Sequence, residues 1–541
     1  MYAFDFDYET GGVILLDKKS LLNHEIRPVY APELTELGVA DFCEFDPQTD
    51  APYMWRDLGR YYYRGELAFR VLHNAEGKPE IFDRYLQTGA TLKKIDVPAS
   101  LEKNAALLER LQNQTVEWLR AVYEDRRSKN EFWYVAYSGG KDSQVLLNLT
   151  LEALGNNVAV IFGDTTMEYP QTYKAVELAK ELCEERGVLF YVAKAPYNAQ
   201  ETWRTFAPPG RRNRWCCDVH KSSPSTVLAR SVANGRPIVD IQGVRKSESF
   251  TRSKYNAVVP SKVRGATDVR PLLEWGSAEI WMTIYARGLY VNDLYKLGAS
   301  RVGCVLCPMA SLTSDVFAEK HAPDLYRKLR ELIDATYTNE RFMHAKPEAW
   351  RRRINGDLDA SSQRLVDDRI EKDELVIDAF VPELGPNFYE WSKTLPKGFP
   401  GWRVKRLKEG DPFTFRIPVE HTKQGRRDRD KFLKFVRRAV YCVGCGVCEA
   451  NCVSGALKCS DGKVQIDESK CLKCGKCMTG RSSQCLRFKS RCVSRNRDEI
   501  IARANRNMER RLHEKEERER ERRPLLQFLS ERADQDGDRR L

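Results

Sequence analysis

The central part of the chain alternates apolar runs with amphipathic stretches at a regular spacing. The run Phe132 to Tyr137 has the aromatic and β-branched character of a strand, and the apolar positions that follow it recur at helical spacing. Further strands are predicted at Val158 to Phe162, Val188 to Val192 and Ile238 to Gln242, with helices that end at Gly155 and Gly187. This alternation predicts right-handed crossovers and a parallel sheet, whose ligands bind at the carboxyl ends of the strands.

The flanking regions have weaker patterns and complete a five-part organisation around an α/β core. The first hundred residues mix short strand patterns with turn residues, and a helical stretch, Leu101 to Tyr123, follows them. The predicted parts are a small β-rich N-terminal domain (1–100), the parallel-sheet domain (101–335), a connector or helical subdomain (336–430), a cysteine-rich domain (431–492) and a charged helical tail (493–541).

A short polar motif, Ser138-Gly-Gly-Lys-Asp-Ser143, stands between the first strand and the first helix. Gly139 and Gly140 let the backbone approach a ligand, and the start of a helix directs free N–H groups at it. Lys141 adds a full positive charge, and the two serines add hydroxyl groups. The motif therefore predicts an anion site, although a glycine turn that only caps the helix is the alternative.

This hexapeptide resembles the pyrophosphate-binding PP-loop of the adenine-nucleotide alpha-hydrolase superfamily, whose members cleave ATP between the α and β phosphates. The resemblance implies a PP-loop (HUP-like) core that binds ATP with Mg²⁺, and a catalytic role for Lys141 and Asp142. Asp164 and Thr165 come directly after the second predicted strand and are candidates for the nucleotide site, with helix capping as the alternative. The predicted nucleotide-binding residues are Ser138, Gly139, Gly140, Lys141, Asp142, Ser143, Asp164 and Thr165.

Composition and charge narrow the class of protein. The 541 residues carry 89 Lys and Arg against 77 Asp and Glu, a net charge of +12 that is compatible with a polyanionic partner without requiring one. No apolar run approaches the ~18 residues of a membrane span, and three acidic residues precede the first cation, Lys18. We expect a soluble cytoplasmic protein with no membrane partner.

The sixteen cysteines are clustered rather than dispersed, which favours metal binding over disulfides. Cys216 and Cys217 are adjacent, and Cys304 and Cys307 form a Cys-x-x-Cys pair; we call these four the Cys216 group. Four thiolates in this arrangement suit an iron–sulfur cluster or a structural zinc, while an inert set of buried thiols is the alternative. Arginines and a lysine within residues 210–221 predict a local site for an anionic group.

The segments Trp215-Cys-Cys217, Gly243-Val-Arg245 and Arg301-Val-Gly-Cys-Val-Leu-Cys-Pro308 together resemble the phosphoadenosine phosphosulfate reductase family. Iron–sulfur members of that family hold a 4Fe-4S cluster close to the substrate. The resemblance covers residues 130–335 and implies such a cluster on the Cys216 group, with Arg245 in the catalytic site.

Two departures from the reductases of that family matter. Their C-terminal Glu-Cys-Gly-(Leu/Ile)-His string is not found in this sequence, and their altered phosphate loop is here an intact Ser-Gly-Gly-Lys-Asp-Ser. Both departures favour an enzyme that uses ATP itself. This profile is similar to that of the DNA phosphorothioation member of the family, which cleaves ATP to activate a site for sulfur insertion.

A second cysteine pattern follows near the C-terminus and resembles a bacterial two-cluster ferredoxin. By that fold's crossover rule, one 4Fe-4S cluster is held by Cys442, Cys445 and Cys448 (the Cys442 group) with Cys485. The other cluster is held by Cys452, Cys471, Cys474 and Cys477 (the Cys452 group). Val453 and Leu486 replace the usual prolines, and zinc knuckles are the alternative.

These features predict a PP-loop enzyme that cleaves ATP to AMP and pyrophosphate to activate a substrate for sulfur transfer, with a ferredoxin domain as electron relay. The candidate partners are DNA or tRNA as acceptor and a sulfur donor such as a cysteine desulfurase. The alternatives are a reductase of adenylyl sulfate or phosphoadenylyl sulfate to sulfite, and a nucleic-acid-binding redox sensor without turnover.

Overall fold

A computed structural model describes residues 1–478 except for segments at 21–23, 207, 212–213, 262–265, 337–348, 353–365, 381–382, 396–398, 400, 410, 443 and 461. The chain divides into two compact units, Met1–Arg487 and Phe488–Leu541, and every described residue belongs to the first. The predicted tail, 493–541, lies outside the described residues. Among the described helices, none combines the length and the apolar composition needed to cross a membrane.

The α-helices of the described part range from single turns to one of thirty residues. They are Ala31–Glu36, Val97–Arg126, Lys141–Leu154, Pro170–Glu185, Ala199–Phe206, Trp215–Cys217, Ser223–Ala233, Ser277–Ala286, Asp293–Lys296, Leu312–His321, Pro323–Thr336, Pro386–Ser392, Lys423–Tyr441 and Val447–Asn451.

A six-stranded sheet forms the centre of the molecule and confirms the predicted α/β class. Its strands lie in the order Phe190–Lys194, Ala159–Asp164, Phe132–Tyr137, Ile238–Gln242, Ala266–Val269 and Val258–Pro260. Neighbouring strands are parallel except for the last pair. The chain leaves the first strand towards one side and later returns to the other, so the strand order reverses next to Phe132–Tyr137, where open α/β sheets bind ligands.

Two strands end later than the sequence predicts. The pairs Gly163 with Ala193 and Asp164 with Lys194 extend the ladder beyond the predicted ends at residues 162 and 192. Glycine and a single charged residue are tolerated there because the parallel partner satisfies the backbone groups. Asp164 is therefore the last residue of its strand, rather than a residue of the loop that follows it.

The N-terminal region is β-rich, as the sequence predicts. It contains a five-stranded antiparallel sheet, a hairpin and a short parallel pair. The sheet strands are Ile26–Val29, Met54–Asp57, Arg60–Tyr63, Glu66–His73 and Pro79–Arg84; the hairpin is Tyr2–Phe6 with Val13–Lys19, and the pair is Cys43–Glu44 with Ala90–Thr91. The long helix Val97–Arg126 packs between this region and the central sheet, so that one apolar core runs through both.

The structure differs from the predicted connector or helical subdomain at 336–430. The described part of that stretch contains a four-stranded antiparallel sheet, in which alternate or successive apolar residues of Glu374–Ala379 are buried. The strands are Val366–Glu371, Glu374–Ala379, Arg403–Lys405 and Phe413–Pro418. The helix Lys423–Tyr441 and the hairpin Leu457–Ser460 with Lys463–Ile466 share one core with this sheet. Short strands separated by prolines hide the alternation from a reading of the sequence.

Candidate functional site

The phosphate-binding loop turns sharply between the strand and the helix that the sequence predicts. Gly139 has φ +71°, a left-handed conformation that costs an L-residue about 1–2 kcal/mol. A Cβ atom at Gly139 would also lie 3.0 Å from Cγ2 of Thr172. Gly140 is the N-cap of the helix Lys141–Leu154, so the free N–H groups of the first turn face the loop. This backbone is shaped for an anion, as the motif predicts.

The two serines of the motif close the loop on itself. Ser143 Oγ donates to the Gly140 carbonyl at 2.8 Å and accepts from the Ser138 N–H at 3.2 Å. The hydroxyl oxygens of Ser138 and Ser143 lie 3.1 Å apart. Both predicted ligands therefore also rigidify the loop, which lowers the entropy lost when an anion binds.

Two residues from a distant short helix hold the loop from outside, and the sequence does not indicate either of them. The Tyr295 hydroxyl accepts from the Lys141 N–H at 3.2 Å, and Asn292 Nδ2 donates to the Gly139 carbonyl at 2.9 Å. Both side chains are buried. They lie just before and within Asp293–Lys296, too far along the chain for any local pattern to connect them with the loop.

A chain of ion pairs fixes the charged residues of the motif. Lys141 Nζ lies 2.7 Å from Asp142 Oδ2, and Arg245 Nε lies 2.5 Å from Asp142 Oδ1. Burial opposes ionisation of Asp142, but Lys141 and Arg245 outweigh it and lower its pKa to about 2. Arg245, predicted to be catalytic, is 1% exposed and contacts two carboxylates, those of Asp142 and Glu25. Its observed contacts position Asp142.

The N-terminal domain supplies the end of this chain. Glu25 Oε2 lies 2.9 Å from Arg245 Nη2. Two residues further on, Arg27 pairs with Glu33 at 2.6 Å and donates to the Gly298 carbonyl at 2.8 Å, which attaches the N-terminal domain beside the PP-loop. Sequence reasoning missed Glu25, because one carboxylate among many in a β-rich domain gives no sign of its tertiary partner.

The end of the neighbouring strand carries the other predicted nucleotide-binding residues. Asp164 Oδ1 accepts from the Thr166 N–H and from the Tyr173 hydroxyl, each at 2.8 Å, and Lys194 lies 3.4 Å from Oδ2. These contacts match the capping alternative for Asp164. Thr165 donates to Glu168 at 2.7 Å, and burial raises the pKa of that glutamate.

Thr165 also connects the nucleotide side of the site with the Cys216 group. Its hydroxyl lies 3.6 Å from Cys304 Sγ. The Val305 N–H donates to the Met167 carbonyl at 2.8 Å, so the Cys-x-x-Cys loop is fastened to the segment that follows the strand Ala159–Asp164. The structure thus brings together two sets of residues that are far apart in the sequence.

The four thiols of the Cys216 group lie within electrostatic reach of one another. The Cys216 thiol donates to Cys217, and this bond lowers the pKa of Cys217 to about 6, with help from Arg214 and Lys221. Burial raises the pKa of Cys304 well above its ordinary value. The group therefore contains one thiol that ionises easily and a buried one that requires a metal or a nearby cation to do so.

Among the described residues, no three Cys, His, Asp or Glu side chains converge on one point as the ligands of a single metal ion would. An iron–sulfur cluster does not require this, because each thiolate binds a different iron atom. The donor set of the Cys216 group, four thiols beside a lysine and an arginine, fits such a cluster better than it fits a tetrahedral zinc ion.

The basic segment 210–221 acts differently from the prediction. Arg211 donates to the Pro308 and Ala310 carbonyls at 3.2 and 3.1 Å, so it fastens the Cys307 loop instead of binding an external anion. Residues 212–213 lie outside the described residues. Lys221 is exposed and within electrostatic reach of Cys217, Cys304 and Glu168, and it remains a candidate for anion binding.

One polar side chain in this segment was not predicted. His220 is fully buried in a π-helical turn, Asp218–Ser222, and its Nε2 lies 2.8 Å from the Thr202 hydroxyl. Its Nδ1 has no hydrogen-bond partner within the described part of the chain. Burial lowers the pKa of His220 to about 4, so the ring is neutral. Its place three residues after Cys217 was the available indication.

The C-terminal cysteines separate into two neighbourhoods. Cys477 lies within electrostatic reach of Cys452, Cys471 and Cys474, the set that the ferredoxin crossover rule predicts for the Cys452 group. Cys485, predicted to complete the other set, lies outside the described residues. Cys442 and Cys445 instead have Cys459 within reach, on the strand Leu457–Ser460. Sequence reasoning assigned Cys459 no partner because it stands outside the Cys-x-x-Cys spacing.

A buried arginine lies between the two neighbourhoods. Arg438 is 0% exposed, donates to Cys448 Sγ and to the Cys477 carbonyl, and lies over the Trp391 ring at 5.2 Å. It was not predicted, since the helix Lys423–Tyr441 carries many cations and its sequence does not show which of them turns inwards.

Comparison with known proteins agrees with the geometry of the central domain. The family model described as the phosphoadenosine phosphosulfate reductase domain matches residues 133–310. An uncharacterised protein of Methanocaldococcus jannaschii is 29% identical over 43% of this chain, which spans 55% of that relative's length. An adenosine 5′-phosphosulfate reductase of Halalkalibacterium halodurans is 27% identical over 38% of this chain and 84% of that protein.

Among solved structures, a phosphoadenylyl-sulfate reductase from Candida auris in complex with phosphate covers 32% of this chain and 81% of its own, at 20% identity and a TM-score of 0.26. The match of the family model spans the strand before the PP-loop, the loop itself and all four thiols of the Cys216 group. Through these central residues, the chain belongs to the phosphoadenosine phosphosulfate reductase family.

Proposed function

We propose that this protein is an iron–sulfur PP-loop enzyme that cleaves ATP to AMP and pyrophosphate to activate a substrate for sulfur transfer. The acceptor is proposed to be a nucleic acid, DNA or tRNA, and the sulfur to come from a donor such as a cysteine desulfurase. The ferredoxin-like domain serves as electron relay.

The observation that carries the proposal is the contact between the two halves of the site. The complete loop from Ser138 to Ser143 is held in shape by Tyr295 and Asn292, and the Thr165 hydroxyl at the end of the adjacent strand lies 3.6 Å from Cys304 Sγ. A nucleotide cradle beside a group of thiols is what ATP-dependent sulfur chemistry requires. A complete loop favours ATP over a nucleotide that has already lost its pyrophosphate.

The first chemical step is adenylation. An acceptor oxygen attacks the α-phosphorus of ATP, the bond between that phosphorus and the bridging oxygen breaks, and pyrophosphate leaves. Lys141 and the N–H groups at the start of the helix Lys141–Leu154 stabilise the charge that develops on the leaving pyrophosphate, together with Mg²⁺. In the second step a nucleophilic sulfur from the donor displaces AMP, and the acceptor oxygen leaves with it.

The Cys216 group would hold a 4Fe-4S cluster beside the nucleotide, and such a cluster supplies single electrons or a binding place for sulfur. The chain's own residues orient it: Arg211 and the Val305 N–H fasten the Cys304–Cys307 loop, and Lys221 contributes positive charge near Cys217. The exposed position of Lys221 also suits a phosphate of the nucleic acid.

The test is pyrophosphate release from ATP by anaerobically purified protein, with and without DNA or tRNA. We expect release that one nucleic acid stimulates, and a loss of about a hundred- to a thousand-fold in Lys141→Ala. Lys180→Ala is the matched control, because that lysine is exposed on the helix Pro170–Glu185. Undiminished release by Lys141→Ala, or no release under any condition, would contradict the proposal.

A second candidate function is supported by the relatives that are named adenosine 5′-phosphosulfate reductases. In that case the protein would reduce adenylyl sulfate or phosphoadenylyl sulfate to sulfite and AMP or its phosphate, with electrons from the ferredoxin-like domain. Sulfite release from adenylyl sulfate in the absence of ATP would establish this function in place of the first.

A further inference from the structure

Two arginines and one glutamate distribute charge unequally around the two C-terminal cysteine neighbourhoods. Arg438 is shared, since it donates to Cys448 Sγ on one side and to the Cys477 carbonyl on the other. Its charge also reaches Cys442 and Cys445. A guanidinium that acts on both sides cannot distinguish them.

Arg230 acts on one side alone. It belongs to the helix Ser223–Ala233 of the nucleotide-binding domain, and its Nη1 donates to the Ala450 carbonyl at 2.7 Å. Ala450 lies two residues before Cys452, whose thiol is within electrostatic reach of the guanidinium. The positive charge of Arg230 therefore faces the Cys452 group.

Glu449 adds negative charge on the other side. Its Oε2 accepts from the Cys459 N–H at 2.8 Å, and its charge reaches the Cys459 thiol, the neighbour of Cys442 and Cys445. Lys458 pairs with Glu449 at 3.2 Å but is exposed, so solvent screens that partner. The Cys442 group thus has a nearby anion and the Cys452 group has an additional nearby cation.

We propose that Arg230 and Glu449 set the reduction potential of the iron–sulfur cluster on the Cys452 group above that of the cluster on the Cys442 group. Reduction adds one negative charge to a cluster, so a nearby cation stabilises the reduced form and a nearby anion destabilises it. This inference rests on the proposed clusters of the function above, and it concerns only their relative potentials.

The position of Arg230 gives this order a functional meaning. The helix Ser223–Ala233 packs on the short helix Val447–Asn451 and also on the strands Ala159–Asp164 and Phe190–Lys194. It follows directly on the turn Asp218–Ser222, which begins after Cys217. The cluster of higher potential is therefore the one closest to the nucleotide-binding domain, and reducing equivalents accumulate on that side.

The test uses the full chain, purified without oxygen, in a redox titration followed by electron paramagnetic resonance. Cys474→Ser identifies the signal of the Cys452 group by removing one of its ligands. Arg230→Gln should lower the midpoint potential of that signal alone, and Arg230→Lys should largely restore it. Arg236→Gln is the matched control, since Arg236 binds the Ala233 carbonyl near the same helix.

A second variant keeps the test independent of domain docking. Glu449→Gln can still accept the Cys459 N–H, and it should raise the potential of the Cys442 group. Equal potentials in the native protein, or Arg230→Gln and Glu449→Gln shifts of the wrong sign, would overturn the inference while leaving the proposed function intact. Protein that binds iron on neither group would instead show that the proposed clusters themselves are wrong.

Discussion

The PP-loop region and the C-terminal cysteine region are both candidate centres of chemistry, but they are built in different ways. The PP-loop is completed by backbone geometry, by hydrogen bonds from Tyr295 and Asn292 and by buried ion pairs. The cysteine region has little regular structure between Cys442 and Cys477, and its thiols lie at the edge of an aromatic core centred on Phe388, Phe415 and Phe435.

The difference indicates what each region requires in order to be ordered. The nucleotide site is organised by protein groups alone, so a ligand meets a cradle that already exists. The cysteine region contains many thiols with few backbone partners, and for such regions the free energy of metal binding is also free energy of folding. The following predictions test this contrast, beginning with the largest expected effect.

Removing iron from the full-length protein should affect the two regions unequally. If the cysteine groups hold clusters as proposed, chelation should expose the backbone of residues 442–478 while residues 132–194 stay protected, because the latter belong to a buried parallel sheet. Hydrogen exchange followed by mass spectrometry measures both segments in one sample. Equal loss of protection in the sheet would remove the contrast.

Asp142→Asn should cost about 3 kcal/mol of unfolding free energy, because it leaves the buried guanidinium of Arg245 with only Glu25 as an ionised partner. It should also change the acid sensitivity. In the native protein the pKa of Asp142 is lowered from 3.8 to about 2, so its contribution is complete above about pH 4 and is lost as pH falls towards 2.

Urea unfolding at several pH values measures both effects of Asp142→Asn. The slope between pH 4 and 2 should be smaller in the variant than in the native protein. The matched control is Asp324→Asn, which removes an exposed carboxylate paired with Arg327 and should change stability by less than about 1 kcal/mol. An unchanged acid slope in Asp142→Asn would contradict the ion-pair chain.

Gly139→Ala should destabilise the protein by about 1–2 kcal/mol through its positive φ and, in addition, weaken nucleotide binding through the contact with Thr172. Gly187→Ala is the control, since Gly187 also has a positive φ but no atom within 4 Å of an added Cβ. Calorimetric titration with ATP should therefore separate the two variants. Equal affinities would mean that the shape of the loop at Gly139 is not used.

Glu25→Ala should have the smallest effect, about 1 kcal/mol or less, because its side chain is 36% exposed and solvent screens its pairing with Arg245. The loss should appear as weaker attachment of the N-terminal domain, measured as faster hydrogen exchange at Ile26–Val29. Glu274→Ala removes a carboxylate that is 69% exposed and paired with Lys246, and it should leave this exchange unchanged.

The PP-loop region could be predicted closely because its determinants are local. A strand, two glycines, a lysine and a helix start follow one another, and φ +71° at Gly139 fits the need for glycine there. The ends of the neighbouring strands were harder to predict, since the pairing of Asp164 with Lys194 depends on a register that no local pattern contains. The four-stranded sheet beyond residue 366 was missed for the same reason.

The sequence by itself determined the class of the central domain, the position of its phosphate loop and the grouping of most cysteines, because glycine conformation, helix periodicity and Cys-x-x-Cys spacing act over a few residues. Only the tertiary structure decided which distant side chains serve those motifs. Glu25, Tyr295 and Arg438 become site residues through packing between segments far apart in the chain. The energies of such contacts depend on burial and on distance, and neither is present in a linear sequence.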